Sequence, residues 1–143
     1  MIKSSRLQVR RIDASAGTGT AIDNLRQANV LVDVGDRAIA FRHHILFDYA
    51  ASRVYIDPHD VTATAKMLRG NAARGLMLGP ALAFALQALW VESSDARDNF
   101  WHAIVELAGN EHADAVGRSV ASRAASEFPR SPADVRSLAA RVL

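Results

Sequence analysis

The chain has 143 residues, of which 50% are hydrophobic and 22% are charged, and its formal net charge is +2. This length allows one ordinary domain or two very small ones, and the apolar content argues against disorder. The near balance of charges gives no support to nucleic-acid binding by itself. Because cysteine is absent, disulfides and thiolate metal sites are excluded, which is typical of a cytoplasmic protein.

The N-terminal part of the chain predicts a strand, a loop and a helix. Residues 1–16 are basic around Leu7, Val9 and Ile12, and their alternation allows a short strand. The small residues of 15–20 predict a loop. Thr20 then provides a cap for a short helix over 21–29.

Two short apolar runs follow this helix, at 30–34 and 38–42. Gly35 and Asp36 lie between them and favour a tight turn, so the pattern predicts a β-hairpin. A helix followed by a hairpin is the wing end of a winged-helix domain. We therefore expect a small winged-helix-like domain over 1–57, closed by a helix over 42–56 that buries a stripe of Ile45, Tyr49, Ser52 and Ile56.

The remainder predicts one helix after another. Expected helices cover 60–68, 80–91, 95–108 and 111–128, and a fifth begins at Ser131 and Pro132. We expect Pro80 in a first turn, a buried stripe of Phe100, Ile104 and Leu107, and Trp101 packing on Trp90. The inward positions of the 111–128 helix are expected at Ala113, Val116, Val120 and Ala124.

The predicted fold class is therefore mainly α: the winged-helix-like domain, then an antiparallel helical array over 58–143 resembling the start of a HEAT or TPR array. The last helix has no stop signal, so we expect further helical repeats as partners.

The uncharged run at residues 75–91 is the one segment of the sequence that could suggest a membrane span. It spans 17 residues, is interrupted by Gly79 and Pro80, and contains Gln87. A membrane span needs about 20 apolar residues. The run therefore favours a buried core helix, and we expect no membrane association.

No catalytic or metal site can be assembled from the sequence. The loop at 14–20 has Thr20 where a phosphate loop requires lysine. The pairs His44–Asp48 and His102–Glu106 have helical spacing, but two ligands do not make a metal site. We therefore expect no enzyme activity and no cofactor for the isolated chain.

The segment 41–57, FRHHILFDYAASRVYID, resembles the last winged-helix helix of STAND ATPases, the signalling class that includes NACHT and NB-ARC proteins. Phe41, His43, Asp48, Tyr49 and Arg53 carry this likeness. Residues 76–90, 97–109 and 116–122 are similar to the start of the long helical region in large bacterial members, some with antiphage roles. The resemblance covers about residue 20 to the end.

The resemblance implies a regulatory relay module that packs on an ATPase domain or a neighbouring polypeptide and senses ADP or ATP. His43 would contact the β-phosphate of ADP, with Arg42 adding positive charge. Plant members have Met-His-Asp at this point, whereas here His44 replaces the acid. The family's nucleotide-binding motifs belong to an ATPase domain that this sequence lacks, so nucleotide would bind only when that domain is present.

Independently of the resemblance, the N-terminus of a helix favours anions, and imidazole can donate a hydrogen bond to phosphate. His43 could equally cap or pack its own helix. Two other functions stay open: a small winged-helix DNA-binding regulator and a stand-alone helical scaffold. The helix at 21–29 offers few cations for phosphate contacts, which disfavours DNA.

Overall fold

The computed structural model describes residues 8–10, 18–69, 72–91, 94–109 and 114–142. It is mainly helical and contains a small three-stranded antiparallel sheet, so the prediction of a mainly α chain is confirmed. The chain divides into two compact units, residues 1–48 and 49–143. The division falls within a helix, whereas the sequence suggests a boundary at residue 57.

The first unit contains β1 (Gln8–Arg10), α1 (Gly19–Gln27), β2 (Leu31–Val34) and β3 (Ala38–Phe41). Both strand pairs are antiparallel and the strand order is β1-β3-β2. The hairpin between β2 and β3 is as predicted, and Gly35 has a φ of +59° that its missing Cβ permits. Asn29 is also left-handed, with a φ of 57°, and is the second residue after the end of α1. Thr20 lies inside α1, because the helix begins at Gly19, one residue before the predicted cap.

Side chains alternate between the two faces of each strand, and the buried sheet residues of this unit lie on one face. Ile39 is opposite Val9 on one side and Asp33 on the other, so these side chains share one face of the sheet. Ile39 and Leu31 are buried on that face. Helix α1 packs on β2 but buries none of its own residues fully.

Helix α2 (His44–Val54) follows β3 after two residues. The predicted buried stripe is confirmed at Ser52 and Ile56, each 5% exposed, but it is wrong at Ile45 and Tyr49, which are 60% and 57% exposed. Phe47 and Ala51 are buried in place of these two residues. Apolar residues occur on both sides of this helix, so periodicity alone does not select the inward side.

The second unit contains α3 (Val61–Arg69), α4 (Ala72–Val91), α5 (Ser94–Gly109), α6 (Ala115–Glu127), a 3-10 helix (Pro132–Val135) and α7 (Arg136–Val142). Each of α4, α5 and α6 packs on the helix before it, and alternate helices also touch: α3 with α5, α4 with α6, and α5 with α7. This pairing gives two layers, α4 and α6 in one and α3, α5 and α7 in the other.

Helix α4 begins eight residues earlier than predicted, so Pro80 lies inside it rather than in its first turn. Proline removes one backbone hydrogen bond from a helix. Because Pro80 is exposed, water can solvate the carbonyl group left free one turn earlier. Residues 73–91 are long and apolar enough to cross a membrane by length and composition, and 44% of the most apolar window is buried in the fold.

The predicted stripe of α5 is confirmed, because Phe100, Ile104 and Leu107 are 5% exposed or less. In α6 the buried residues are Gly117, Ala121 and Ala124, and only Ala124 belongs to the predicted set. The predicted Val116 and Val120 are half-buried. Ala113, the loop at 15–17 and most of the predicted N-terminal strand lie outside the described residues.

Candidate functional site

The backbone holds Arg42 and His43 between β3 and α2. The Arg42 amide donates to the Val30 carbonyl at 2.9 Å, which continues the hairpin pairing by one residue. The His43 carbonyl accepts from the Leu46 amide at 3.1 Å. Both side chains are exposed. The main chain of this junction is therefore fixed, while the two side chains remain accessible to a ligand.

An aromatic contact joins the two elements on either side of Arg42 and His43. The rings of Phe41, on β3, and Phe47, on α2, meet edge to face with centroids 5.7 Å apart. Edge-to-face pairs add stability beyond the area that they bury. The contact joins the end of β3 to the second turn of α2, so it fixes the direction of the helix start at His43.

The start of α2 has the chemistry of a weak anion site. The first amides of a helix have no acceptor within the helix, and the helix dipole favours negative charge there. Arg42, His43 and His44 are consecutive and all three side chains are exposed. They could contact a phosphate group from several directions.

Asp48 is the nearest acid along this helix, one turn after His44. Burial raises the pKa of the Asp48 carboxyl, and the charge of His44 partly opposes that rise. No ion pair or hydrogen bond joins His44 and Asp48 among the described residues. Across the described part of the chain, no three His, Cys, Asp or Glu side chains come together as a possible metal site.

The surface that a winged helix would present to DNA is partly neutralised. Arg26, on α1, forms ion pairs with Asp33 of β2 and, at 3.4 Å, with Asp23. The hydrogen bond and charge of Asp33 raise the pKa of the Arg26 guanidinium. A DNA phosphate would have to compete with these two carboxylates for the arginine.

A second surface was not found by reasoning from the sequence. Helices α4 and α6 enclose an apolar groove with a volume of about 470 Å³, hereafter the α4–α6 groove. Its largest apolar lining side chains are Leu76, Pro80, Phe84, Val116, Val120 and Phe128. Arg123 and Glu127 also line it and form an ion pair at 2.8 Å. The uncharged run 75–91 is the signal that could have indicated it.

Comparisons with known proteins leave the family open. No protein-family model, no curated protein and no solved structure gives a significant match to this chain. The likeness to STAND ATPases therefore rests on the residues of segment 41–57 and the helices that follow it.

Proposed function

We propose that this chain is a non-catalytic regulatory module of a STAND-type signalling ATPase. In this proposal Arg42 and His43 contact the phosphate groups of ADP when the ATPase domain is present. Nucleotide binding would then bias the position of the module, and the helices of the second unit would relay that change. An antiphage role of the whole system is part of the same hypothesis.

The observation that carries the proposal is the accessibility of His43 at the start of α2. Its side chain is exposed, and no described residue forms a side-chain hydrogen bond with it. Its carbonyl, rather than its imidazole, makes the contact with Leu46 that begins the helix. The alternative, that the imidazole caps or packs its own helix, receives no support from these contacts.

The order of elements gives additional support. A helix, a hairpin and a second helix precede a two-layer set of helices, which is the order that the resemblance implies. The strand order β1-β3-β2 is compatible with the sheet of a winged-helix domain. Within the second unit, contacts between alternate helices are those expected of a helical array.

The test compares two adjacent histidines in a complex with the ATPase polypeptide encoded in the same or the neighbouring reading frame. His43→Ala is expected to weaken ADP binding about tenfold, the effect of losing one hydrogen bond to a charged group. His44→Ala is the comparison, since its ring is also exposed one residue later, and it should have a smaller effect.

Binding of ADP to the two complexes can be measured by calorimetry. Equal ADP affinity in the wild-type and His43→Ala complexes would show that His43 does not contact nucleotide. Failure of the chain to associate with any such ATPase would remove the proposal altogether.

The stand-alone scaffold is the second candidate, and the α4–α6 groove favours it. An apolar groove between two helices can accept side chains from another protein. The DNA-binding alternative is disfavoured by the pairing of Arg26 with Asp33 and Asp23. Salt-dependent binding of duplex DNA by the purified chain would reverse that preference.

A further inference from the structure

Another concave site lies within the second unit, at the C-terminal end of α2, and is called the Arg53 pocket hereafter. Its volume is about 430 Å³, which lies in the range of small-molecule sites. One wall is the continuous stretch 52–59, and the opposite side is formed by three aliphatic residues of α4, Ala85, Ala88 and Leu89. Ala85 and Leu89 are buried, so these residues form an apolar floor beside a polar wall.

Hydrogen bonds within the chain hold the polar wall in place. Thr64 Oγ1, on α3, donates to the Asp57 carbonyl at 2.8 Å, and Asp57 Oδ1 accepts from the His59 amide at 3.0 Å. The Tyr55 amide donates to the Ala51 carbonyl at 2.9 Å where α2 ends. A wall that is already fixed loses little conformational entropy when a ligand binds.

Arg53 contributes a guanidinium group that forms no ion pair with a described residue. It is exposed, in the last turn of α2. A guanidinium group can form two parallel hydrogen bonds with a carboxylate. The hydroxyl group of Tyr55 and the imidazole of His59 belong to the same wall and can also donate. This part of the pocket therefore suits a carboxylate ligand.

The same wall also offers acceptors for a cation. The last three carbonyl groups of α2, at residues 52–54, accept no hydrogen bond from a described backbone amide outside the helix. The helix dipole makes this end of α2 negative. Asp57 adds a carboxylate, so its charge and that of Arg53 cancel across the lining. A ligand that carries one charge of each sign matches this wall better than a simple anion or a simple cation.

We propose that the Arg53 pocket binds a free amino acid with an aliphatic side chain. The carboxylate of the ligand pairs with Arg53, and its ammonium group faces the carbonyl end of α2 and Asp57. Its side chain covers the aliphatic floor on α4. Because all of these residues belong to the second unit, the proposal is independent of nucleotide binding at the start of α2.

NMR titration of the full chain with L-leucine tests this site. We expect amide shifts in residues 52–59 and a dissociation constant of roughly 0.1–10 mM, the range for a ligand of few atoms. Arg53→Gln should weaken binding at least about tenfold, because charge-assisted hydrogen bonds are lost. Arg69→Gln is the matched control: Arg69 is also exposed in the last turn of a helix, but it lies outside the pocket lining. This variant should bind L-leucine like the wild type.

Two analogues of leucine test whether both charges of the ligand are recognised. The first, 4-methylpentanoate, lacks the amine, and the second, 3-methylbutylamine, lacks the carboxylate. Each should bind at least about tenfold more weakly than leucine. The absence of amide shifts in residues 52–59 at about 50 mM L-leucine would overturn the proposal. So would equal affinities of the Arg53→Gln and Arg69→Gln variants, or an analogue that binds as tightly as leucine.

Discussion

Asp134 anchors the C-terminal segment of the chain. Its Oδ1 accepts from the Arg97 guanidinium at 2.6 Å, and its Oδ2 accepts from the amides of Arg130 and Ser131, both at 2.9 Å. Its carbonyl accepts from Trp101 Nε1 at 2.7 Å. A helical turn does begin at Pro132 as predicted, but it is the 3-10 helix Pro132–Val135, and the α-helix starts only at Arg136. The Asp134 carboxylate binds the two amides that precede this turn.

This network predicts an acid-sensitive anchor. The hydrogen bond from the Arg130 amide, with further contributions from Ser131 and Arg97, lowers the pKa of the Asp134 carboxyl despite its burial. A carboxyl with a lowered pKa in the folded state stabilises the fold above its unfolded pKa. That contribution is lost as the pH falls through the folded value.

Asp134→Asn should therefore lower the melting temperature at pH 7, and its difference from the wild type should shrink as the pH falls below about 4. Thermal melts followed by circular dichroism across this range measure the difference. Asp98→Asn, at an exposed position on α5, is the control and should melt like the wild type. A difference for Asp134→Asn that does not vary with pH would contradict the assignment.

Phe100 and Trp101 illustrate a limit of helical periodicity at single residues. The sequence places Phe100 inward and offsets Trp101 toward Trp90, and the Trp90–Trp101 contact is present with ring centroids 6.5 Å apart. Trp101 is nevertheless as buried as Phe100, with 1% exposure against 0%. Its indole N–H reaches Asp134, a partner 33 residues away that local spacing cannot indicate.

At the scale of elements, two glycines allow α4 and α6 to approach closely. A Cβ at Gly75 would lie 2.8 Å from Asp114 Oδ1, and one at Gly79 would lie 2.9 Å from Val116 Cγ1. Asp114 caps α6 by accepting from the Val116 amide. Gly79, which in the sequence suggests a break, is instead a packing position within a continuous helix.

Gly79→Ala should destabilise the second unit by about 1–3 kcal/mol, because the added methyl group must displace Val116. Gly109→Ala is the matched control: it is helical, and no atom lies within 4 Å of the added Cβ. It should be neutral or slightly stabilising. Urea unfolding of both variants measures the free energies, and equal values would contradict the close packing of α4 on α6.

For the whole molecule, the absence of a lysine-bearing phosphate loop predicts that the purified chain does not hydrolyse ATP. Phosphate release by the wild type should equal that of the buffer. The His43→Ala variant is purified by the same procedure, so a contaminating ATPase would release phosphate equally from both preparations. Turnover above background that disappears in the His43→Ala chain would contradict the prediction.

The sequence alone identified most elements and their order, because helix stops and the hairpin turn are local signals. Gly35 required a turn, and the apolar spacing of α5 identified its buried face before any neighbour was known. It also singled out Arg42 and His43, which the fold leaves accessible at the start of α2.

Tertiary structure decided what local signals leave ambiguous. The buried side of α2 was chosen by partners such as Phe41, since apolar residues occur on both sides of that helix. Helix α4 continues through Pro80 because packing against α3, α5 and α6 stabilises it on both sides of the proline. The α4–α6 groove is formed by residues some 40 positions apart in sequence. Contacts between distant residues depend on helix packing, and no local periodicity encodes them.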